Sequence, residues 1–225
     1  MKTTILCAAA AALSVGFLLA KKATVRPGPY ESKRVVYNFD TDKEGQAPAK
    51  FQFALTGQGG KPEWVIKSDP TAPSKPNVLA QTSADKTDYH FPLAIAEGGT
   101  YRDLELSVKF KAVEGSIDRA AGMVFRLADP DNYYIVRANA LEDNYRLYHV
   151  IKGRRQQFAG ANFKVEPGKW HELRAECIGN KITCYYDNVK RIEATDNTFK
   201  EAGKVGLWTK ADSVTYFDDF AVTPK

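Results

Sequence analysis

Apolar and polar residues alternate with a period of two through most of the chain that follows residue 34. In the segment LELSVKF, Leu104, Leu106 and Val108 point one way, and Glu105 and Ser107 point the other way. This pattern is typical of a strand with one face in a core and one face in water. Similar segments are separated by turns rich in Gly, Pro, Asp and Asn, and no helical stripe interrupts them. The spacing predicts an all-β sandwich or barrel.

Composition is consistent with one folded domain over residues 35–225. The chain has 225 residues, of which 44% are hydrophobic and 12% aromatic, and this is enough apolar material for a buried core. Lys and Arg number 32 against 27 Asp and Glu, a formal net charge of +5. Because this excess is small and is not clustered, the sequence does not predict a nucleic-acid partner.

The first 20 residues resemble a leader. Lys2 precedes an apolar run that is slightly shorter than a membrane-spanning helix requires. We therefore expect a signal peptide that exports the protein to the periplasm or the medium. Leu18 close to the cleavage position and the positive charges of Lys21 and Lys22 favour the alternative, an uncleaved N-terminal anchor. Residues 21–34 are predicted to be a linker, and no other membrane span is predicted.

Two cysteines follow the leader, Cys177 and Cys184, in a predicted hairpin. With Asn180-Lys181 as the turn, the two cysteines would face each other and could form a disulfide. With Gly179-Asn180 as the turn, Cys177 would face Ile182 and both thiols would be small buried side chains. The sequence leaves both alternatives open.

Three consecutive strands suggest a binding surface. Alternation assigns apolar side chains to an inner face, and it leaves arginine, asparagine and tyrosine on one outer face. Sugars are bound by this mixture, since aromatic rings stack on sugar rings and planar amide and guanidinium groups hydrogen-bond to hydroxyl pairs. The predicted inner residues are Met123, Phe125, Leu127, Tyr134, Val136, Ala138, Tyr145, Leu147 and Ile151. The predicted carbohydrate-binding residues are Arg126, Tyr133, Arg137, Asn139, Asn144, Arg146, Tyr148 and Trp208.

Known catalytic motifs are missing from the sequence. There is no zinc-protease, phosphate-loop or serine-hydrolase motif. Glycoside hydrolysis requires two carboxyl groups on either side of a sugar. The candidates for an acid or base are Asp103, Glu105, Asp129 and Asp131, of which only the first two share a strand face.

Five segments together resemble the concanavalin A-like lectin/glucanase superfamily, in particular its LamG-like and 3-keto-disaccharide hydrolase branches. They are NFDTDKEGQAP, YRDLELSVKFK, AAGMVFRLADPDNYYIVRAN, GKWHELRAECIGNKITCYYDN and GKVGLWTKADSVTYFDDFAV. The resemblance implies a two-sheet antiparallel jelly-roll sandwich that binds or processes carbohydrate outside the cytoplasm. It also implies a structural calcium ion where the first strand meets the last, with Asp40, Asp42 and Asp219 as ligands. The acidic motif of glycoside hydrolase family 16 is not matched at residues 103–107.

Three functions remain open at this point. The first is an exported carbohydrate-binding protein that uses the Arg/Asn/Tyr face. The second is a glycoside hydrolase of the 3-keto-disaccharide type, which the resemblance implies without assigning a catalytic residue. The third is an envelope adhesion or protein-interaction module. The sequence does not indicate the oligomeric state.

Overall fold

A computed structural model describes residues 33–225, which contain fifteen β-strands and no α-helix. The predicted leader and residues 21–32 of the predicted linker lie outside the described residues. Nothing helical in the described part has the length and apolar character to cross a membrane. The strands are β1 (Val35–Tyr37), β2 (Phe51–Gly57), β3 (Trp64–Ser68), β4 (Asn77–Gln81), β5 (His90–Ala96), β6 (Leu104–Glu114), β7 (Ala120–Asp129), β8 (Asn132–Asn139), β9 (Asn144–Ile151), β10 (Arg154–Asn162), β11 (Trp170–Ile178), β12 (Lys181–Tyr186), β13 (Val189–Thr195), β14 (Lys204–Trp208) and β15 (Val214–Pro224).

The strands form two antiparallel sheets. Sheet A has the order β13-β12-β11-β6-β15-β4-β3, and β1 pairs with β15. Sheet B has the order β10-β9-β8-β7-β14-β5-β2. The long β6 and β15 form the centre of sheet A, and the meander β7 to β10 builds one half of sheet B. The predicted all-β, two-sheet antiparallel sandwich is confirmed.

The main core lies between the two sheets. Alternate residues of each strand face it, for example Phe110 and Leu173 from sheet A and Phe125 and Leu147 from sheet B, all of them fully buried. Each such side chain contributes about 1.5–3 kcal/mol when it leaves water. The alternation in the sequence therefore identifies the residues that face this core.

Sheet B curls around the face that points away from sheet A. The Thr56 hydroxyl on β2 lies 2.8 Å from the hydroxyl of Tyr133 on β8, although three strands separate β2 from β8 in the sheet. Tyr89, just before β5, donates a 2.6 Å hydrogen bond to the carbonyl of Gly153 in the β9–β10 turn. We call this side of the sheet the curled face. A second apolar cluster fills it, with Phe91, Leu93, Ile95, Val124, Tyr133, Ile135, Tyr148, Val150 and Trp208 among its members.

The cysteine hairpin takes the register with Gly179-Asn180 as its turn. Ile178 pairs with Lys181 and Cys177 pairs with Ile182, while Cys184 pairs with Ala175. Both cysteines are buried free thiols in the main core, so the predicted Cys177–Cys184 disulfide is not formed.

Candidate functional site

Most of the predicted binding residues share the curled face. Arg137 on β8 pairs with Arg146 on β9, and Asn139 pairs with Asn144, so their side chains leave the sheet on the same side. Tyr133, Tyr148 and Trp208 belong to the apolar cluster of this face. The prediction that these side chains face solvent is wrong for three of them, because the curl of sheet B buries Tyr133 and Trp208 completely and leaves Arg137 only 3% exposed.

Arg126 does not belong to this set. A register shift in β7 between Phe125 and Asp129 interrupts the alternation, and Arg126 takes a positive φ of 46°. Its guanidinium donates to the carbonyls of Arg102, Phe199 and Gly179, the last at 2.6 Å, and so reaches a turn of sheet A. The same shift moves Leu127, predicted to face inward, into the cluster on the curled face, and the predicted inner residue Ile151 is exposed.

Arg137 is the centre of a polar network. Its Nη2 donates to Glu142 Oε2 at 2.9 Å and to the Tyr148 hydroxyl at 3.0 Å, and its Nη1 donates to Asn144 Oδ1. Asn144 in turn donates to Glu142 Oε2 at 3.0 Å. Burial opposes ionisation of Glu142, but the Asn144 amide and the Arg137 guanidinium outweigh it and hold the pKa of Glu142 below its usual value. Glu142 is therefore an ionised carboxylate that fixes Arg137.

A second network connects three loops beside the first. Lys210 Nζ, in the β14–β15 loop, lies 2.5 Å from Asp88 Oδ1 and 3.0 Å from Asp118 Oδ2. Asp118 accepts a 2.9 Å hydrogen bond from Asn139 Nδ2, which joins it to the end of β8. Asp118 is 1% exposed, and this burial raises its pKa despite Lys210. The Lys210 ammonium lowers the pKa of the more exposed Asp88. The two carboxylates beside Lys210 thus differ in their readiness to hold a proton.

Arg155 covers the aromatic part of the curled face. Its guanidinium carbon lies 4.5 Å from the ring centre of Tyr148, 4.8 Å from that of Phe91 and 5.6 Å from that of Trp208. Tyr89 positions this residue, because the Tyr89 hydroxyl accepts a 3.1 Å hydrogen bond from the Arg155 backbone N–H. The predicted aromatic platform is therefore occupied by a guanidinium.

Two buried donors on the curled face lack an acceptor among the described residues. They are Nε of Arg137 and Nη1 of Arg155, whereas the Trp208 indole N–H interacts with the Tyr133 hydroxyl. A buried donor that makes no hydrogen bond costs about 1–3 kcal/mol. An unpartnered buried donor requires an explanation, and an acceptor supplied by a bound ligand is one such explanation.

None of the four predicted acid candidates has a hydrogen bond or ion pair to either network among the described residues. Asp103 accepts from the Gly179 N–H at 2.8 Å and pairs with Arg126, and Glu105 pairs with Lys225. Asp129 accepts from the Asp131 N–H in the β7–β8 turn, as an aspartate in a turn commonly does. None of these contacts places two carboxyl groups together, and the site carboxylates are Asp88, Asp118 and Glu142 instead.

Sequence reasoning missed these three carboxylates, together with Lys210, Phe91 and Arg155. A signal existed for Arg155, since a Lys-Gly turn at residues 152–153 puts it opposite Val150, two positions along β9 from Tyr148. No comparable signal existed for Asp88, Asp118 and Lys210, because they lie on loops outside the strand alternation.

The predicted calcium ligands do not form a donor set. Asp40 Oδ2 accepts from Asn38 Nδ2 at 3.1 Å, and the backbone carbonyl of Asp42 accepts from Asn77 Nδ2 at 2.9 Å. Burial raises the pKa of Asp219, and the nearby Asp40 adds to this effect. Within residues 33–225 no group of three or more His, Cys, Asp or Glu side chains could hold a metal ion. A calcium ion held by Asp40, Asp42 and Asp219 stays a prediction of the resemblance.

Comparison with known proteins identifies the domain. The family model described as the 3-keto-alpha-glucoside-1,2-lyase-like domain matches residues 57–223, which is most of the described chain. A search of curated proteins found no match.

Solved structures share the fold at low sequence identity. The carbohydrate binding module CBM66 from Bacillus subtilis is 17% identical with a TM-score of 0.60, over 78% of this chain and 97% of that one. The cellulose induced protein Cip1 is 10% identical with a TM-score of 0.61, over 85% and 97%. Domain 4 of the arabinanase AbnA from Geobacillus stearothermophilus, solved with arabinotriose, is 12% identical with a TM-score of 0.53, over 86% and 91%. At these identities the likeness establishes the sandwich fold alone.

Proposed function

This chain belongs to the family of 3-keto-alpha-glucoside-1,2-lyase-like domains, and from that premise we propose that it binds a carbohydrate at the curled face of sheet B. The observation that carries the proposal is the pair of buried donors, on Arg137 and Arg155, that lack acceptors. Sugar oxygens are acceptors of the required kind. Two proteins with the same fold add support, since one is a carbohydrate-binding module and the other was solved with arabinotriose.

The two polar networks suit this role because they hold their groups in place before a ligand arrives. Glu142, Asn144 and Tyr148 fix the Arg137 guanidinium, and Asp88 and Asp118 fix Lys210. A donor that is already oriented loses little conformational entropy on binding. The edge of the face is accessible, since the side chains of Glu142 and Asp88 are 48% and 77% exposed.

The test is a glycan array followed by calorimetric titration of the sugars that bind. Arg137→Gln should weaken binding at least tenfold, because it removes the charge and most donors of the guanidinium. Arg174→Gln is the matched control, since Arg174 stacks on Tyr185 on the outward side of sheet A. Thermal unfolding identifies any variant that fails to fold. Binding that survives Arg137→Gln in a folded protein contradicts the proposed site.

A second candidate function is cleavage of a keto-glycoside at the same face. The observation in its favour is the contrast between Asp118, whose pKa is raised by burial, and Glu142, which stays ionised. Such a pair can supply an acid and a base. Incubation with a 3-keto-disaccharide should release its sugars, and Asp118→Asn or Glu142→Gln should each slow release at least a hundredfold. No release by the wild-type protein rules this candidate out and leaves the binding proposal intact.

We also propose that the protein is exported, because residues 1–20 contain an apolar run like that of a signal peptide. Fractionation of cells that express the full chain should place it outside the cytoplasm. Mass spectrometry of the N-terminus then separates a cleaved signal peptide from an uncleaved anchor, and recovery of the intact chain in the cytoplasm contradicts export.

A further inference from the structure

The charges on the curled face are not balanced. Arg137 pairs with Glu142, and Lys210 pairs with Asp88 and Asp118. Among residues 33–225, Arg155 has no carboxylate partner, and Arg146 donates only to the carbonyls of Tyr145 and Ala161 and to the Asn162 amide oxygen. Two guanidinium groups on this face are therefore available to an anion.

The surroundings of Arg155 favour the binding of an anion to its guanidinium. Aromatic rings of Tyr148, Phe91 and Trp208 surround the guanidinium, and its Nη1 is buried without an acceptor. Ring faces attract the positive charge but offer no lone pairs for its N–H groups. A charge in a medium of low polarity interacts strongly with an opposite charge that reaches it. The residue is thus prepared for a negatively charged oxygen.

The two unpartnered donors have a further property in common. Arg137 Nε and Arg155 Nη1 can donate hydrogen bonds but cannot accept them. A neutral sugar hydroxyl both donates and accepts, so it would bring its own donor into this region. A carboxylate only accepts, has two oxygens and matches the fork of a guanidinium.

We propose that the ligand of the curled face is an acidic sugar, a uronic acid residue whose carboxylate pairs with the Arg155 guanidinium. This proposal rests on the proposed carbohydrate-binding function and specifies its ligand class. Asp88 interacts with Arg155 only at longer range, because the ion pair and hydrogen bond of its carboxylate are with Lys210. Arg146 contributes a second positive charge on the same face.

The experiment compares matched pairs of oligosaccharides that differ only in oxidation at C6, such as cellobiouronic acid with cellobiose and digalacturonic acid with its neutral counterpart. Isothermal titration calorimetry is done with the full chain. For at least one pair, the wild-type protein should bind the acid at least tenfold more tightly than the neutral sugar. Equal affinity within every pair overturns the acidic ligand but keeps the carbohydrate site, whereas no binding of any sugar overturns both.

Three variants test whether Arg155 causes the preference for the acidic sugar. Arg155→Gln should reduce the ratio of acid to neutral affinity to about twofold or less, because it removes the charge and the fork. Arg154→Gln is the control, since Arg154 is exposed and its side chain leaves β10 on the opposite side; it should leave the ratio unchanged. A preference that persists in folded Arg155→Gln contradicts the assignment to Arg155. Arg155→Lys keeps the charge and should restore part of the ratio.

Discussion

The Asp212 carboxylate accepts a 3.0 Å hydrogen bond from the backbone N–H of Asp118, one of the two carboxylates that hold Lys210. The same carboxylate accepts from the backbone N–H of Ser116 at 2.8 Å and of Ile117 at 2.9 Å. Asp212 lies two residues after Lys210 and therefore connects the β14–β15 loop to the β6–β7 loop. These hydrogen bonds fix two of the three loops that carry Asp88, Asp118 and Lys210.

Replacing Asp212 by asparagine should loosen both loops. Asparagine has one acceptor oxygen, so it leaves part of the N–H groups of residues 116–118 without a partner. We expect a loss of about 1–3 kcal/mol in the free energy of unfolding. Urea unfolding followed by tryptophan fluorescence measures it. A variant as stable as the wild type would show that water replaces the carboxylate at these N–H groups.

The contribution of Asp212 should depend on pH. Burial opposes its ionisation, but hydrogen bonds from Ser116, Asp118 and Ile117 outweigh burial and lower its pKa. A lowered pKa in the folded state means that the stabilisation is complete above the pKa of the unfolded chain, about 3.9. It is lost as the pH falls from there through the folded pKa. The stability difference between wild type and Asp212→Asn should be constant from about pH 7 to pH 5 and should shrink below about pH 4.

Alternation in the sequence was sufficient to predict the sandwich, because burial between the sheets determines every second residue of the long strands. It placed Arg137, Asn139, Asn144 and Tyr148 on one face correctly. It failed at Arg126, because the β7 bulge between Phe125 and Asp129 adds two residues relative to β8, which the pattern does not reveal. It also failed to predict that the face is buried, since the curl depends on contacts between distant strands, such as that of Thr56 with Tyr133.

The bulge makes Arg126 a structural residue. The side chain is 2% exposed, and it donates to backbone carbonyls from three segments. Arg126→Met removes these donors and leaves the carbonyls and Asp103 without them, so we expect a loss of about 3–5 kcal/mol in the free energy of unfolding. Arg154→Met, on the exposed side of β10, should change it by less than about 0.5 kcal/mol. Sugar affinity in folded Arg126→Met should stay close to the wild-type value, and a large loss would place Arg126 in the binding site after all.

The loop residues of the site could not be predicted from the sequence for a physical reason. Asp88, Asp118 and Lys210 come from three loops whose positions depend on how β5, β7 and β14 pair in sheet B. Turn residues such as aspartate are common on any surface loop, so their identity alone does not distinguish a site from a solvated turn.

The buried thiols should be unreactive in the folded protein. Burial raises the pKa of Cys177 to about 11, so at pH 8 the reactive thiolate is present in only about one molecule in a thousand. The ordinary thiol pKa of the unfolded chain is about 8.5. Iodoacetamide at pH 8 should label neither Cys177 nor Cys184 in the native state and both in guanidinium chloride. Rapid native labelling would contradict the buried register, and failure to label the unfolded, non-reduced protein would indicate a disulfide.

Gly122 allows β7 to pack closely against β8 on the curled face, and its replacement tests this packing. A Cβ at this position would lie 2.6 Å from Ile135 Cδ1 and 3.0 Å from both Arg137 Cβ and the Val136 carbonyl oxygen. Gly122→Ala should therefore displace β8 or the Arg137 side chain, at a cost of about 1–3 kcal/mol in stability and with weaker sugar binding. Gly60→Ala is the control, because its Cβ would meet only the flexible Asp85 carboxylate, at 3.1 Å. If Gly122→Ala is as stable as Gly60→Ala and binds sugar like the wild type, strands β7 and β8 pack less tightly than these distances require.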